Sequence, residues 1–530
     1  MALLDLLERG YFPKELPNPF NTSSFARCVT MHGVTLPASY LINPSTNRSM
    51  KKTKGCKYSH ARGGLLRRQL TIQNPISQYI LSKEIDANWN ILLPHIGGTL
   101  LSATNPIQFP TGRAINSASS QGDRKTKAVI TRLNNKFILK TDISRFYHSI
   151  YTHSIPWAIH TKLHAKRHRQ ALHIGNWLDI IIRNGQDGQT VGIPIGPDTS
   201  LVIAEILMQV CDKDLISKLP GLQGHRFIDD YELGFQSRTE AEDAYHILES
   251  VLSAYELALN PKKTEIVELP TSLEAAWARP IRNAVIRSTG RQQEVDLYDY
   301  FDTVFNLKQS YPNESILQFA VARLRSINLD PQNWELFQRF ILNCASQEPA
   351  TLPYALEQII QRVNSGAPRP ISETNEVLNT IVEAHSGLIH SSEVAWALWG
   401  CLALQIPLST AAIGAVSMCE DSVVALLALH CETAGLTHVP LNKSLWSTYM
   451  TTDNLYDDQW LLCYEANVKG WLPTVGGGDH VSADPNFAML KANGVNFYDL
   501  GQAVPNATMA PLPVLTNQSS TEDLDSSISG

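Results

Sequence analysis

Up to about residue 270 the apolar residues of this chain come in short β-type runs separated by helical stretches, and beyond about 290 they recur at helical spacing. The first run, Leu66, Arg68, Leu70 and Ile72, predicts a strand that ends in a turn at Asn74-Pro75, followed by a helix from Ile76 to about Ile85. A second strand is expected in Lys136-Phe-Ile-Leu-Lys-Thr-Asp142, with Phe146 and Tyr147 opening the next turn or helix, and two helices follow at about 155–170 and 172–184. The loop Gly192-Ile-Pro-Ile-Gly-Pro-Asp-Thr-Ser200 leads into a largely apolar helix to about Lys218, with Glu205 its one charge across Leu201 to Met208. In His225-Arg-Phe-Ile-Asp-Asp-Tyr-Glu-Leu-Gly-Phe235, strand-forming residues flank two adjacent acids, the pattern of a β-hairpin with carboxylates at its turn. A helix near 239–258 and Leu259-Asn-Pro-Lys-Lys-Thr264, entering another short strand, complete this half.

The second half reads as one helix after another: Glu294–Ser310, Glu314–Ile327, Trp334–Ser346, Leu352–Val363, Thr374–His385, Ser392–Leu404 and Asp421–Ala434, with short Pro, Gly or Ser breaks. At the other end, Pro13, Pro17, Pro19 and Pro37 predict an extended arm after one short helix. The expected organisation is an arm over 1–60, an α+β unit over 61–290, an α-helical, HEAT-like stack over 291–500 and a loosely ordered tail over 501–530.

Composition changes this picture little. At 43% hydrophobic and 18% charged, 530 residues supply a large core and two or three domains. Cysteines at 28, 56, 211, 344, 401, 419, 431 and 463 form no Cys-x-x-Cys pair and are expected to be reduced and buried. The N-terminal Met-Ala-Leu-Leu-Asp-Leu-Leu-Glu-Arg is neither a secretion signal nor an Arg-rich transit peptide, so a cytoplasmic location is expected. The uncharged stretch Ala395–Met418 is broken by Gln405, Pro407, Ser409 and Thr410, which predicts two buried helices rather than a membrane span.

Charge does add something. The net charge of −6 hides a segment between Glu15 and Glu84 with no acid and ten Lys and Arg residues: Arg27, Arg48, Lys51, Lys52, Lys54, Lys57, Arg62, Arg67, Arg68 and Lys83. With Arg113, Arg124, Lys125 and Lys127 further on, this predicts a face for phosphate backbones or triphosphates. Lys51, Lys52, Lys54, Lys57, Arg62, Arg67 and Arg113 are its candidate nucleic-acid contacts.

An Asp-Asp turn alone is common on solvated hairpins. Asp142 at a strand end, the Gly-x-Pro-x-Gly loop, Asp229-Asp230 and Leu-Asn-x-x-Lys-Thr, in this order, together resemble the palm of a reverse transcriptase. Arg68-x-Leu70-x-Ile72 resembles the fingers motif of the same family, so the resemblance covers about residues 60–270. It implies a right-hand polymerase of fingers and palm in which Asp142, Asp229, Asp230 and the Ile143 carbonyl hold two Mg2+ ions, with Mn2+ a substitute. It also implies that Arg68 holds the triphosphate, that Lys263 lies near the leaving pyrophosphate, and that Pro194, Ile195 and Gly196 line the nucleotide. Tyr147 falls at the steric gate against a ribose 2′-hydroxyl, favouring dNTPs as substrates. Ile195 departs from the family, many members of which carry glutamine there.

The arm beginning Gly10-Tyr-Phe-Pro-Lys-Glu-Leu-Pro-Asn-Pro-Phe20, the long helical region and Ser392-Glu-Val-Ala-Trp-Ala-Leu398 resemble the abortive-infection and unknown-group reverse transcriptases of bacterial antiphage defence. That resemblance implies DNA made by a homo-oligomer assembled through its helical regions, either protein-primed and untemplated or guided by a noncoding RNA or RNA template. Tyr11, Tyr40 and Tyr58 are the candidate priming residues. Two alternatives stand beside it: a conventional templated reverse transcriptase of a retroelement, and a scaffold with vestigial catalysis.

Overall fold

The structure is a computed structural model that describes residues 3–31, 52–64, 66–119, 121–170 and 172–502. Tyr40, Arg48, Lys51 and nearly all of the expected tail lie outside the described residues.

The described strands form three antiparallel sheets. A first hairpin pairs β1 (Cys56–Ala61) with β2 (Arg67–Ile72), and a second, small one pairs β3 (Pro106–Gln108) with β4 (Ile115–Ser117). The main sheet contains β5 (Phe137–Asp142), β6 (Gln223–Phe227), β7 (Asp230–Phe235) and β8 (Glu265–Glu268) in the order β6-β7-β5-β8. Ile138 and Leu139 make β5 a buried central strand. Helix Arg238–Ser253 starts at a capping box of Ser237 and Glu240 and packs on β5 and β7, burying Ala241, Ala244, Leu248, Val251 and Leu252. The buried helix Asp198–Lys218 packs behind it.

Most elements fall where periodicity put them. The helix after Asn74 spans Pro75–Ala87, with Asn74 accepting from the Ile76 N–H and Pro75 in the first turn. The polar stretch around 102–128 contains β3, β4 and the start of helix Gln121–Arg132. Three-residue strands are too short to show an alternation, which is why they were not foreseen.

Beyond residue 290, helices Gly290–Ser310, Ile316–Arg323, Trp334–Gln347, Leu352–Asn364, Ser372–Ser386, Ser391–Leu404 and Ser422–Thr433 follow one another and pack on near neighbours in the chain. The uncharged stretch divides into Ser391–Leu404 and Thr410–Val416, and among the described residues no helix is long and apolar enough to cross a membrane. All eight cysteines are free and buried.

The β1–β2 hairpin is docked on this helical region. Ser391 and Ser392, at the start of their helix, accept from the backbone N–H groups of Ser59 and Ala61, each at 2.9 Å, so hydroxyls satisfy two donors on the edge of β1. Trp460 Nε1 donates to the Ile72 carbonyl at 3.2 Å. Since β1 starts at Cys56, the hairpin straddles the boundary expected at residue 60.

The N-terminal segment differs from an extended arm. Helices Leu3–Glu8 and Ser23–Met31 carry Leu6, Leu7, Phe25 and Ala26 into the core, joined by the buried Tyr11, Phe12 and Phe20. Phe20 bridges Tyr498, Asn21 N–H donates to the Phe497 carbonyl at 3.1 Å, and the Phe12 and Phe497 rings stack with centroids 5.9 Å apart. Prolines at 13, 17 and 19 hid the second helix, which buries Phe25, Ala26, Cys28 and Val29.

Candidate active site

Asp142 closes β5 and Asp230 opens β7, and the strand register makes them direct partners. Asp229 occupies the turn between β6 and β7, and its carbonyl accepts from the Ile143 N–H at 3.2 Å. Three carboxylates thus share one sheet end, brought there from 87 residues apart by a single ladder.

The turn is strained and held from below. Ile228 has φ of 53°, a left-handed conformation unusual for a β-branched residue. Its N–H donates to Thr104 Oγ1 at 3.0 Å, and its carbonyl accepts from Arg226 Nη1 at 2.7 Å. Arg226 has no exposed side-chain surface and pairs with Glu205 and Asp212, each at 2.8 Å and each buried. Ser102 and Thr104 hydroxyls donate to Glu205, and the Tyr231 hydroxyl donates to Asp212. Every charge in this network has a partner, the condition under which buried ions are tolerated. The sequence offers one signal for it, Glu205 as the one charge in the apolar run Leu201 to Met208, and nothing in that run points to Arg226.

Two basic residues and an amide answer the carboxylates. Asn260 Nδ2 donates to Asp142 Oδ2 at 3.1 Å, and Lys263 Nζ lies 3.3 Å from the same oxygen. Both belong to the Leu-Asn-x-x-Lys-Thr motif, so Lys263 stands at the site while remaining exposed. Arg124 Nη2 lies 2.9 Å from Asp230 Oδ2. Among the described residues no cation lies within ion-pair distance of Asp229. Burial, then the charges of Asp230 and Asp142, push its carboxyl up to about 7. Burial also raises Asp230, against the pull of Arg124. Crowded hard oxygens with too little local positive charge fit a divalent cation of the magnesium class.

Tyr147, the Gly192–Gly196 loop and β2 are held together by backbone bonds. Ile193 N–H donates to the Tyr147 carbonyl at 2.8 Å, and Thr71 N–H of β2 donates to the Ile195 carbonyl at 2.9 Å. The loop Gly192–Gly196, with Pro194, Ile195 and Gly196 half-buried, therefore joins Tyr147 to β2. At Gly196, φ is 133° and an added Cβ would meet Pro13 Cγ at 2.6 Å, so glycine is required there. Tyr147 is partly buried, its ring edge-on to Phe146 at 5.3 Å, and burial followed by the Asp229 charge raises its phenol above the ordinary value. Arg68 acts electrostatically on Tyr147, His148 and Arg62. Burial lowers Arg62 to about 10, with Arg68 pushing the same way and Asp229 opposing, so both arginines share the field of the site.

Other basic candidates are engaged elsewhere. Arg67, on the face of β2 opposite Arg68, forks onto Glu393 with bonds of 2.5 and 2.8 Å. Arg113 pairs with Asp198 and donates to the Gly196 carbonyl at 2.8 Å, making it a brace of the loop rather than a free phosphate contact. Lys54 pairs with Asp457 and Arg27 with Glu8. The acid-free segment thus takes its counter-charges from distant parts of the chain. Lys52 and Lys57 are exposed. Tyr11 and Tyr58 are fully buried, and the Tyr11 hydroxyl donates to the Gln73 carbonyl at 2.5 Å, so neither is presented as a primer in this structure.

Residues 90–300 match the family described as reverse transcriptase (RNA-dependent DNA polymerase). No curated protein matches the sequence. Among solved structures, apo telomerase from Candida tropicalis is similar over 59% of this chain and 66% of that one, at 10% identity and a TM-score of 0.30, a likeness too slight to bear on function. With the family match lying over the strands and loops that carry Asp142, Asp229 and Asp230, residues 90–300 form an RNA-directed DNA polymerase domain of the reverse transcriptase family.

Proposed function

We propose that this chain synthesises DNA from deoxynucleotides at Asp142, Asp229 and Asp230 by two-metal catalysis, in the service of antiphage defence. The observation that carries the catalytic part is the crowding of three carboxylates around Asp229, which has no cationic partner among the described residues and is pushed up to about 7. A binding module has no use for so costly a cluster. Asp142, Asp229, Asp230 and the Ile143 carbonyl would hold the ions, which when bound supply an acidified attacking hydroxyl and charge neutralisation at the triphosphate. Arg68 grips the triphosphate from the fingers, Lys263 carries positive charge beside Asp142, and Tyr147 fills the space of a 2′-hydroxyl.

The defence role rests on the resemblance to the abortive-infection and unknown-group enzymes, supported by a long helical region docked on the β1–β2 hairpin. We read that region as a HEAT-like stack through which copies assemble, and the nucleic-acid partner as a noncoding RNA or RNA template together with the DNA product. A protein primer would be Tyr40 or a residue outside the three tyrosine candidates, since Tyr11 and Tyr58 are closed off.

The test gives the purified protein each labelled dNTP with magnesium and no primer or template, beside Asp229→Ala, and resolves products before and after proteinase. Label held on the protein until proteolysis supports protein-primed synthesis. Extension only with added primer-template would assign the chain to conventional templated reverse transcription. No incorporation in either format would overturn the enzymatic reading.

A further inference from the structure

Away from the palm, His385, His390 and Glu393 converge where the helical region meets the fingers hairpin. The Nδ1 atoms of the two imidazoles lie 2.9 Å apart, and Glu393 Oε1 is 3.5 Å from His390 Nδ1 and 4.0 Å from His385 Nδ1. One ligand atom from each falls within 4.8 Å of the others. Glu393 is 3% exposed, while the two histidines are 22% and 25% exposed, so the cluster is anchored on a buried acid and open on one side.

The backbone goes to some trouble to build it. Helix Ser372–Ser386 ends one residue after His385, and the chain reverses through Gly387, Leu388 and Ile389 before the next helix begins at Ser391. Ile389 has φ of 52°, a costly conformation for a β-branched residue, and His390 N–H donates back to the His385 carbonyl at 3.2 Å. This tight return brings the two imidazoles together, with centroids 5.2 Å apart and planes tilted by 31°. Burial lowers both imidazoles from their ordinary value, with Glu393 pulling the other way.

We propose that His385 Nδ1, His390 Nδ1 and Glu393 Oε1 form a site for a borderline divalent metal, Zn2+ by preference. Two imidazoles and a carboxylate suit zinc, and would leave a fourth position on the open side. Hard oxygen-seeking ions such as Mg2+ are the poorer match. Glu393 is already oriented as a ligating carboxylate commonly is: Arg67 forks onto both its oxygens, and Ser392 Oγ donates to Oε2 at 2.7 Å. Since Arg67 belongs to β2, an ion here would tie the helical region to the strand that also carries Arg68.

The test uses untagged full-length protein, stripped with chelator, loaded with Zn2+, dialysed and assayed for metal by mass spectrometry, with Co2+ as a spectroscopic probe. Zn2+ should be retained at one ion per chain and should raise Tm. Co2+ should give the intense visible bands of tetrahedral coordination with nitrogen ligands. His390→Ala should lose that ion and the Tm increment, and His385→Asn, which keeps a polar group beside His390, should do the same. Asp229→Ala should retain the ion, separating it from any metal bound at the palm. Wild-type protein that keeps no zinc, or variants at His385 and His390 that bind it as well as wild type, would overturn the proposal.

Discussion

Asp142 faces Asp230 directly across the β5–β7 ladder, and the two are neutralised from opposite sides, Asp142 by Asn260 and Lys263 and Asp230 by Arg124. Asp229, in the turn beside them, receives no such partner among the described residues. Its raised carboxyl pKa has a definite sign. The unfolded chain loses this proton first, near the ordinary 3.8, so metal-free protein loses stability as pH rises from there to about 7. Asp229→Asn removes that penalty. Without metal at about pH 8 the variant should be more stable than wild type by about 1–3 kcal/mol, read from denaturant melts, while its polymerase activity is lost. In wild type, protons and metal compete for the same oxygens, so the magnesium needed for half-maximal rate should rise as pH falls below 7.

Tyr147 meets the Gly192–Gly196 loop through its own carbonyl, which fixes the backbone while leaving the ring as the variable part. Tyr147→Val should therefore keep the loop in place and admit ribonucleotides, raising the ratio of ribonucleotide to deoxynucleotide incorporation by roughly tenfold or more. Competition between labelled dNTP and NTP measures this, and unchanged discrimination would remove Tyr147 from the gate.

Neighbours in β2 should fail differently. Arg68→Ala, on the site face, should raise KM for dNTP by roughly 10- to 100-fold with little change in Tm, in line with the loss of charged hydrogen bonds worth about 1.5–3 kcal/mol. Arg67→Ala strips Glu393 of its fork and should lower Tm first. Steady-state kinetics beside thermal melts separate the two, and equal effects of both substitutions on KM would contradict the facing.

The ion network under Ile228 predicts a third kind of defect. Glu205→Gln leaves Arg226 short of one charge and should cost about 3–5 kcal/mol in stability. At a temperature where the variant remains folded, kcat should fall more than KM rises, because the turn that presents Asp229 loosens while Arg68 and Tyr147 stay in place. A variant whose kcat matches wild type would reduce the network to a packing role.

What the sequence made legible was local. Asp142 at the end of an apolar run, the Asp229-Asp230 turn and the Gly192–Gly196 loop each show in a dozen residues, because strand alternation and turn chemistry are short-range. Long helices such as Leu352–Asn364 show for the same reason. Partners at a distance did not show. Arg67 read as a phosphate contact because Glu393 is 326 residues away, and Arg113 likewise because Asp198 completes it across 85. Asn260 was overlooked beside Lys263, although both reach one oxygen of Asp142. The helix Ser23–Met31 was missed because its stability comes from Phe497 and its surroundings rather than from its own propensity.

Phe20 and Tyr498 have a consequence for any attempt to take the molecule apart. Their bridge, with Asn21 on Phe497, closes the described chain into a ring that passes from the N-terminal helices through the β1–β2 hairpin and the main sheet, along the helical region, and back. Pro13 of the same segment touches Gly196 of the nucleotide loop. Cutting near residue 290 would therefore not trim an appendage; it would open a hoop, uncover Phe12, Phe20 and Phe25, and free the segment that braces the nucleotide loop. Polymerase and helical region are better regarded as two arcs of one circle, to be probed by point substitutions that leave the circle shut.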